Sequence, residues 1–401
     1  MIYFLLPKTH VHIYRHICCV TSEEQANACV SNSLSHYLYD IKERINQYER
    51  EWDTYKKYTN PYEYIHTNIP YKKKCISKHN PLSRSYFKMV ELMQLFGLNF
   101  TQIKINTFHL AEGPGGFIEA LCKLRNNKQD TYIGMTIQDE TDTNVPAWKK
   151  SENFLKENLN VYIENGADNT GDILSIANFD YCVQKYGSTM EIITGDGGFD
   201  FSTNFNQQEQ NITQLLFAQM CFAVCMQKRD GMFILKIFDS FTPPTIDILY
   251  ILSSFYKKVY ITKPQTSRYA NSEKYIVCKG FLFQNSNEFL PHIRKAYCSM
   301  VESPGHVSRF LSIPPSHFFT TKLEEYNSVF GQQQIENIYY TLSLIENRNK
   351  SDKIDNIIKL NSYKCIQWCI KHDIPYNDIY NYIDATPTSV ESDVEYEIVE
   401  E

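Results

Sequence analysis

Between about residues 104 and 280, short β-branched and aromatic runs alternate with stretches of helical periodicity. Runs at 105–110, 132–136, 161–163, 191–194, 232–237, 259–261 and 275–278 predict strands, and 116–125, 207–227 and 245–256 predict helices. Such alternation predicts a parallel sheet covered by helices on both faces. The last two runs are separated only by 262–272, too short for a helical crossover, so they predict an antiparallel hairpin that finishes the sheet. Upstream, 22–58 is helix-forming and increasingly charged up to Asn60-Pro61; downstream, 318–349 and 351–371 predict helices. The expected division is an N-terminal helical and basic extension (1–79), an α/β domain (80–285), a C-terminal helical region (286–384) and a tail (385–401). The tail is expected to be disordered, since 391–401 holds six acids and no base.

Composition narrows the classes. With 43% hydrophobic and 21% charged residues among 401, the chain is expected to fold, and its net charge of −6 excludes a uniformly basic nucleic-acid coat. Any nucleic-acid contact must come from a local patch. No run reaches the length of a membrane helix; the longest, 215–226, contains Gln219. The N-terminal apolar run lacks a basic lead and is cut by Pro7 and Lys8, so no secretory signal is expected. The 12 cysteines form no CxxC pair, and Cys221/Cys225 and Cys365/Cys369 share helix spacing, as buried small hydrophobes would. A soluble intracellular protein is the simplest expectation. His10, His12 and His16 share strand parity, yet lack cysteine or acid partners at metal spacing, so no metal site is expected.

The sharpest local signal is TFHLAEGPGGFIEALCKL, where an apolar strand ends near Leu110, a turn of Gly113, Pro114, Gly115 and Gly116 follows, and a helix begins. Glycines let a ligand approach the backbone, and the helix start offers free N–H groups. The spacing is neither a Walker loop nor the GxGxxG dinucleotide fingerprint. Its position at the first strand–helix junction favours a ligand site, because open α/β sheets bind at strand carboxyl ends.

In order along the chain, AEGPGGF (111–117), GDGGF (195–199), ILKIFD (234–239) and SRYANSEKYIVCKGF (267–281) resemble the FtsJ/RrmJ-type RNA ribose 2′-O-methyltransferases. The wording is most similar to the branch of cap-specific mRNA (nucleoside-2′-O-)-methyltransferases, including versions from large DNA viruses. The resemblance implies a Rossmann-like S-adenosylmethionine-dependent methyltransferase sheet of seven strands, the last antiparallel, here with helical N- and C-terminal additions. It implies a Lys-Asp-Lys-Glu tetrad, matched by Lys88 in SRSYFK, Asp196 after the fourth strand, Lys236 at the end of the fifth and Glu273 at the start of the last. Taken singly, each has an ordinary reading: a turn aspartate, a snorkelling lysine, a surface glutamate. Together, at strand ends and beside the glycine loop, they fit removal of a proton from a poorly nucleophilic ribose hydroxyl by a lysine kept neutral by burial and a neighbouring cation. No metal is implied.

The resemblance also implies that Ala111, Glu112, Gly113, Pro114, Gly115, Gly116 and Phe117 hold S-adenosylmethionine, with Asp172 meeting its adenine amino group. Asp172 reads equally well as a turn or N-cap residue. Asp139 lies close to where a ribose-binding acid belongs. His109 and Glu112 depart from bacterial relatives. Arg268 and Asn271 match positions near the substrate ribose. The segment 71–88, with six basic residues and no acid among Tyr71, Tyr86 and Phe87, is either an RNA contact with stacking aromatics or a solvated linker. The expected partner is RNA, as capped mRNA; an internal ribosomal or transfer RNA ribose, and a non-catalytic RNA-binding subunit, are the rival readings. No membrane partner is expected.

Overall fold

The computed structural model describes residues 1–97, 104–138, 147–198, 205–348 and 351–377; Asp139 and the acidic tail lie outside them. Its strands are β1 (Tyr3–Leu5), β2 (Ile17–Ser22), β3 (Asn106–Leu110), β4 (Thr131–Met135), β5 (Val161–Ile163), β6 (Met190–Gly195), β7 (Gln227–Ile237), β8 (Tyr256–Thr262), β9 (Lys274–Phe281) and β10 (His306–Leu311). Eight of them form one sheet in the order β1-β8-β9-β7-β6-β3-β4-β5. Neighbours from β7 to β5 pair in parallel, and β9 runs antiparallel to both β7 and β8. The seven expected strands are all present, and the hairpin pairing of the last two holds. The eighth, β1, pairs antiparallel with the edge strand β8. Three residues before a proline carry too little pattern to announce a strand, so the sequence showed only an apolar run.

Chain direction across the sheet reverses between β3 and β6. From β3 the chain moves outward to β4 and β5, then returns to β6 on the other side of β3. A crevice forms at such a reversal, outside the strand carboxyl ends. Register fixes which residues border it: Leu110 lies opposite Met135 and Gly195, and Gly195 opposite Leu235. Asp196, Lys236 and the glycine loop after Leu110 therefore share one edge.

Alternation along the strands divides the core into two layers. Phe233, Leu235, Ile276 and Cys278 join one cluster with α6 (Ile176–Tyr186), α7 (Gln208–Met226), α8 (Pro243–Phe255) and α9 (Leu290–Glu302). Met232, Ile234, Tyr275 and Val277 join the other with α3 (Ser85–Leu95), α4 (Gly116–Arg125), α5 (Glu152–Glu157) and α11 (Ser351–Lys371). Buried Cys221, Cys225, Cys365 and Cys369 sit in these layers as apolar filler, and all 12 cysteines are unpaired. Of the helices among the described residues, none is long and apolar enough to cross a membrane.

The two terminal additions pack on each other. α1 (Asn32–Glu43) and α2 (Glu49–Tyr58) bury Ile41 and Trp52 against Ile338 and Leu342 of α10 (His317–Glu346). β2 and β10 pair as a separate antiparallel ribbon, so strands occur in both regions read as helical. Buried Asp247 of α8 pins that ribbon, accepting from Arg309 at 2.7 and 2.9 Å and from the N–H groups of Phe310 and Leu311. Residues 11–16 form a 3-10 helix, so the strand parity expected of His12 and His16 does not apply.

His109 in β3 is fully buried, its ring between the Thr194 and Thr107 hydroxyls at 2.8 and 2.9 Å. Burial lowers its pKa from 6.5 to about 3. The unfolded chain therefore binds a proton that the fold excludes: this contribution to stability is complete above about pH 6.5 and lost as pH falls toward 3. His109→Gln should shrink the loss of unfolding free energy between about pH 7 and about pH 5 by about 2 kcal/mol. Urea titrations of both proteins at the two pH values measure it; equal losses would contradict the assignment.

Candidate active site

The four residues matched to the tetrad come together in two ion pairs at the sheet edge. Lys88, on the buried face of α3, places Nζ 2.7 Å from one Glu273 carboxylate oxygen and 2.8 Å from the other. Lys236 places Nζ 3.2 Å from Asp196 Oδ1 and donates to the Asp196 carbonyl at 2.6 Å. Tyr275 joins the pairs. It lies opposite Lys236 in the β7–β9 register, its hydroxyl donates to Asp196 Oδ1 at 3.0 Å, and the Lys88 ammonium sits 5.9 Å from its ring centre. The sequence placed Tyr275 only within a strand; its parity with Glu273 was the available signal.

Burial and neighbouring charge set the titration of Lys88, Glu273 and Tyr275. Burial pushes the Lys88 pKa down, against the opposing pull of Glu273 and Asp196, with Arg84 and Lys236 adding to the depression. Burial alone would raise Glu273, but Lys88 and Lys236 outweigh it and hold the carboxyl well below its usual range. Tyr275 is pushed up by burial and then by Asp196. The arrangement is two amines and two carboxylates in a largely dehydrated crevice, where each charge feels the others strongly.

The loop before β9 is tied down from several elements that the sequence did not connect. Glu91 of α3 accepts from the Gln265 and Thr266 N–H groups, each at 2.8 Å. Buried Lys263 donates to the carbonyls of Asn271 and Glu273 at 2.5 and 2.8 Å; burial, then the Lys274 charge, lowers its pKa to about 7. Ser267 donates to Glu273 at 2.7 Å, and Gln334 of α10 donates to the Ala270 carbonyl at 3.0 Å. Asn271 stays exposed at the rim. Arg268 is half-buried and held by Glu63 through two hydrogen bonds of 2.9 and 2.6 Å. Asp239 of the ILKIFD motif bridges Lys42 of α1 and Lys274 at 3.1 and 3.5 Å.

Ala111 to Phe117 wrap the carboxyl end of β3. Ala111 (φ +52°) and Gly115 (φ +103°) take left-handed conformations. A side chain at Gly113 would stand 2.5 Å from the Ala147 carbonyl, and one at Gly116 would strike the Ser83 and Ser85 hydroxyls at 2.2 Å. These glycines thus serve close packing within the protein as well as any ligand. Glu112 is buried; one carboxylate oxygen accepts the Phe117 N–H at 2.6 Å, and the other has no partner among the described residues. Burial, then the charge of Asp196, raises its pKa well above the ordinary value. An unpartnered buried oxygen beside a helix start fits a ligand that carries a positive charge, as S-adenosylmethionine does.

Asp172 makes a local bond: its carboxylate accepts the Leu174 N–H at 2.8 Å in the turn after β5. Gly171 in that turn lies so close to β4 that a Cβ would stand 2.0 Å from the Thr136 carbonyl, which brings the loops after β4 and β5 together. Asp168, which the sequence reading passed over, organises the turn by accepting from Thr170, Ser175 and Asn178. In the basic segment, Tyr86 and Phe87 are buried in the core and are not available to stack on a base. Tyr71 is 98% exposed, at the tip of a turn beside Lys72, Lys73 and Lys74.

Gly115→Val should strain a backbone that L side chains rarely adopt and press on Trp148, 3.2 Å from the added Cβ. The expected result is S-adenosylmethionine binding weakened by about tenfold or more, measured by calorimetry. Unchanged affinity would remove the loop from the cofactor site.

The chain is similar to several known proteins. A "Cap-specific mRNA (nucleoside-2'-O-)-methyltransferase 2" of Drosophila melanogaster is 24% identical over 68% of this chain and 39% of its own. A "Cap-specific mRNA (nucleoside-2'-O-)-methyltransferase 1" of Dictyostelium discoideum is 35% identical over 45% of this chain and 26% of its own. That of Trypanosoma brucei brucei is 28% identical over 68% of this chain and 75% of its own. The match thus spans well under half of the fly and slime-mould relatives. The model of the FtsJ-like methyltransferases matches residues 81–281, from just before Lys88 to the end of β9 and through every motif at the crevice, and the chain belongs to that family.

Proposed function

We propose that the chain transfers a methyl group from S-adenosylmethionine to a ribose 2′-oxygen of RNA, at the first transcribed nucleotides of capped mRNA. The observation that carries this reading is the meeting of the Lys88–Glu273 and Lys236–Asp196 pairs beside the 111–117 loop. S-adenosylmethionine, when bound, supplies an electrophilic methyl group on a sulfonium. The 111–117 loop and the turn after β5 would hold it, with the unpartnered Glu112 oxygen meeting its positive charge.

Lys236 is the base. Its amine takes the proton of the 2′-hydroxyl, and Asp196 and Tyr275 fix its direction. Lys88, clamped by both oxygens of Glu273, supplies a neighbouring positive charge in the crevice. Arg268 and Asn271 lie on the loop that carries Glu273 and would border the RNA. Orientation of the hydroxyl against the methyl donor then supplies much of the rate.

The names of the relatives support the cap-specific form of the reading. Short transcripts with and without a cap test it. Labelled methyl groups should enter the capped RNA alone. Equal labelling of uncapped RNA would move the substrate to an internal ribose, and RNA binding without transfer would leave an RNA-binding subunit.

A further inference from the structure

Glu63 lies in the N-terminal extension, outside the segment that matches the family, and its carboxylate is completely buried. A buried carboxylate persists only where its oxygens are satisfied. Here they accept from Arg268 Nε and Nη2 at 2.9 and 2.6 Å, from Asn60 at 2.8 Å and from Thr67 at 3.0 Å. Arg84 Nη1 is 3.8 Å away, and Arg84 Nη2 donates to the Thr266 carbonyl at 2.8 Å. The two arginines come from opposite ends of the matched segment, Arg84 one helical turn before Lys88 and Arg268 on the loop leading to Glu273. Both feel the charge of Glu273. Their side chains remain 26% and 21% exposed, whereas Glu63 is sealed beneath them.

One carboxylate against two guanidinium groups leaves a positive charge at the rim of the crevice. Without the anion, the two cations would repel each other and swing outward. With it, they are fixed in advance, so ordering them costs little when a ligand arrives. Planar guanidinium groups suit phosphate, and in RNA a phosphate stands on each side of an internal ribose. We propose that Glu63 is a positioning residue that holds Arg84 and Arg268 as a preformed clamp for a phosphate next to the ribose to be methylated. The inference rests on the RNA reading above and extends it to a residue beyond the family segment.

The test uses the full chain and a short capped RNA. Glu63→Gln keeps the shape and removes the anion. It should raise the RNA KM about tenfold or more, while kcat and S-adenosylmethionine affinity stay within about twofold. Arg84→Gln and Arg268→Gln should each lower the slope of log KM against log salt by roughly 0.7, the loss of one phosphate contact on a single strand. Glu63→Gln combined with Arg268→Gln should cost less than the sum of the two. An unchanged KM in Glu63→Gln, or a parallel loss of kcat, KM and cofactor affinity, would overturn the proposal. If Glu63→Gln does not fold, the salt slopes decide, and slopes equal to wild type overturn it. Failure of the RNA reading itself looks different: the unmodified chain would then transfer no methyl group to any RNA.

Discussion

Replacing Lys236 with alanine is expected to lower methyl transfer by roughly 10²- to 10⁴-fold, the range ascribed to a positioned proton acceptor, while S-adenosylmethionine binds nearly as before. The separation follows from the geometry. Lys236 lies one residue before the end of β7 and bonds only Asp196 among the described residues, through its carboxylate at 3.2 Å and its carbonyl at 2.6 Å. The 111–117 loop belongs to β3 and would be left as it is. Asp196 also retains its 3.0 Å bond from Tyr275, so the crevice keeps its shape. Calorimetry beside a radiolabel assay reads the two properties separately. Turnover that survives in Lys236→Ala would assign the proton to another group.

Lys88→Met should show a different combination, lost turnover together with lost stability. Lys88 and Glu273 are both buried, and removing one member of such a pair leaves an uncompensated charge at a cost of about 3–5 kcal/mol. The Ser267 hydroxyl and Lys236 soften that cost without replacing the ammonium. The double variant Lys88→Met/Glu273→Gln removes both charges, so it should regain much of the stability and none of the turnover. Urea unfolding and transfer rates measured on the same three proteins check this. Recovery of turnover in the double variant would make the pair a structural strut and take it out of the chemistry.

The parts of this molecule that were readable in its sequence are those carried by local pattern. The strand runs, the glycine turn after Leu110 and the residues at strand ends each leave a short signature, and parallel topology with fixed register then brings Asp196 and Lys236 to one edge. Lys88 was readable only through its resemblance to a motif, since a lysine in a basic run looks like a solvated one, yet it is buried. What stayed hidden are bonds across long chain separations. Glu63 reaches Arg268 over 205 positions, and Asp247 reaches Arg309 over 62. A buried acid paired so far away has the same local sequence as an exposed one, and only packing separates them. Of the two readings open for the basic segment, stacking by Tyr86 and Phe87 is excluded for a related reason: they sit among lysines in sequence, yet α3 turns both toward the core.

The central claim is that these two amines and two carboxylates act on a single ribose hydroxyl. Its most direct test is nuclease digestion and mass spectrometry of a short capped RNA methylated by the purified chain, run beside the same RNA carrying a 2′-deoxy sugar at the modified position. The account predicts a 2′-O-methyl nucleoside next to the cap, absent from the deoxy substrate and reduced by about a hundredfold or more when Lys236 is alanine. A methyl group on a base, or one still transferred to the deoxy substrate, would contradict it.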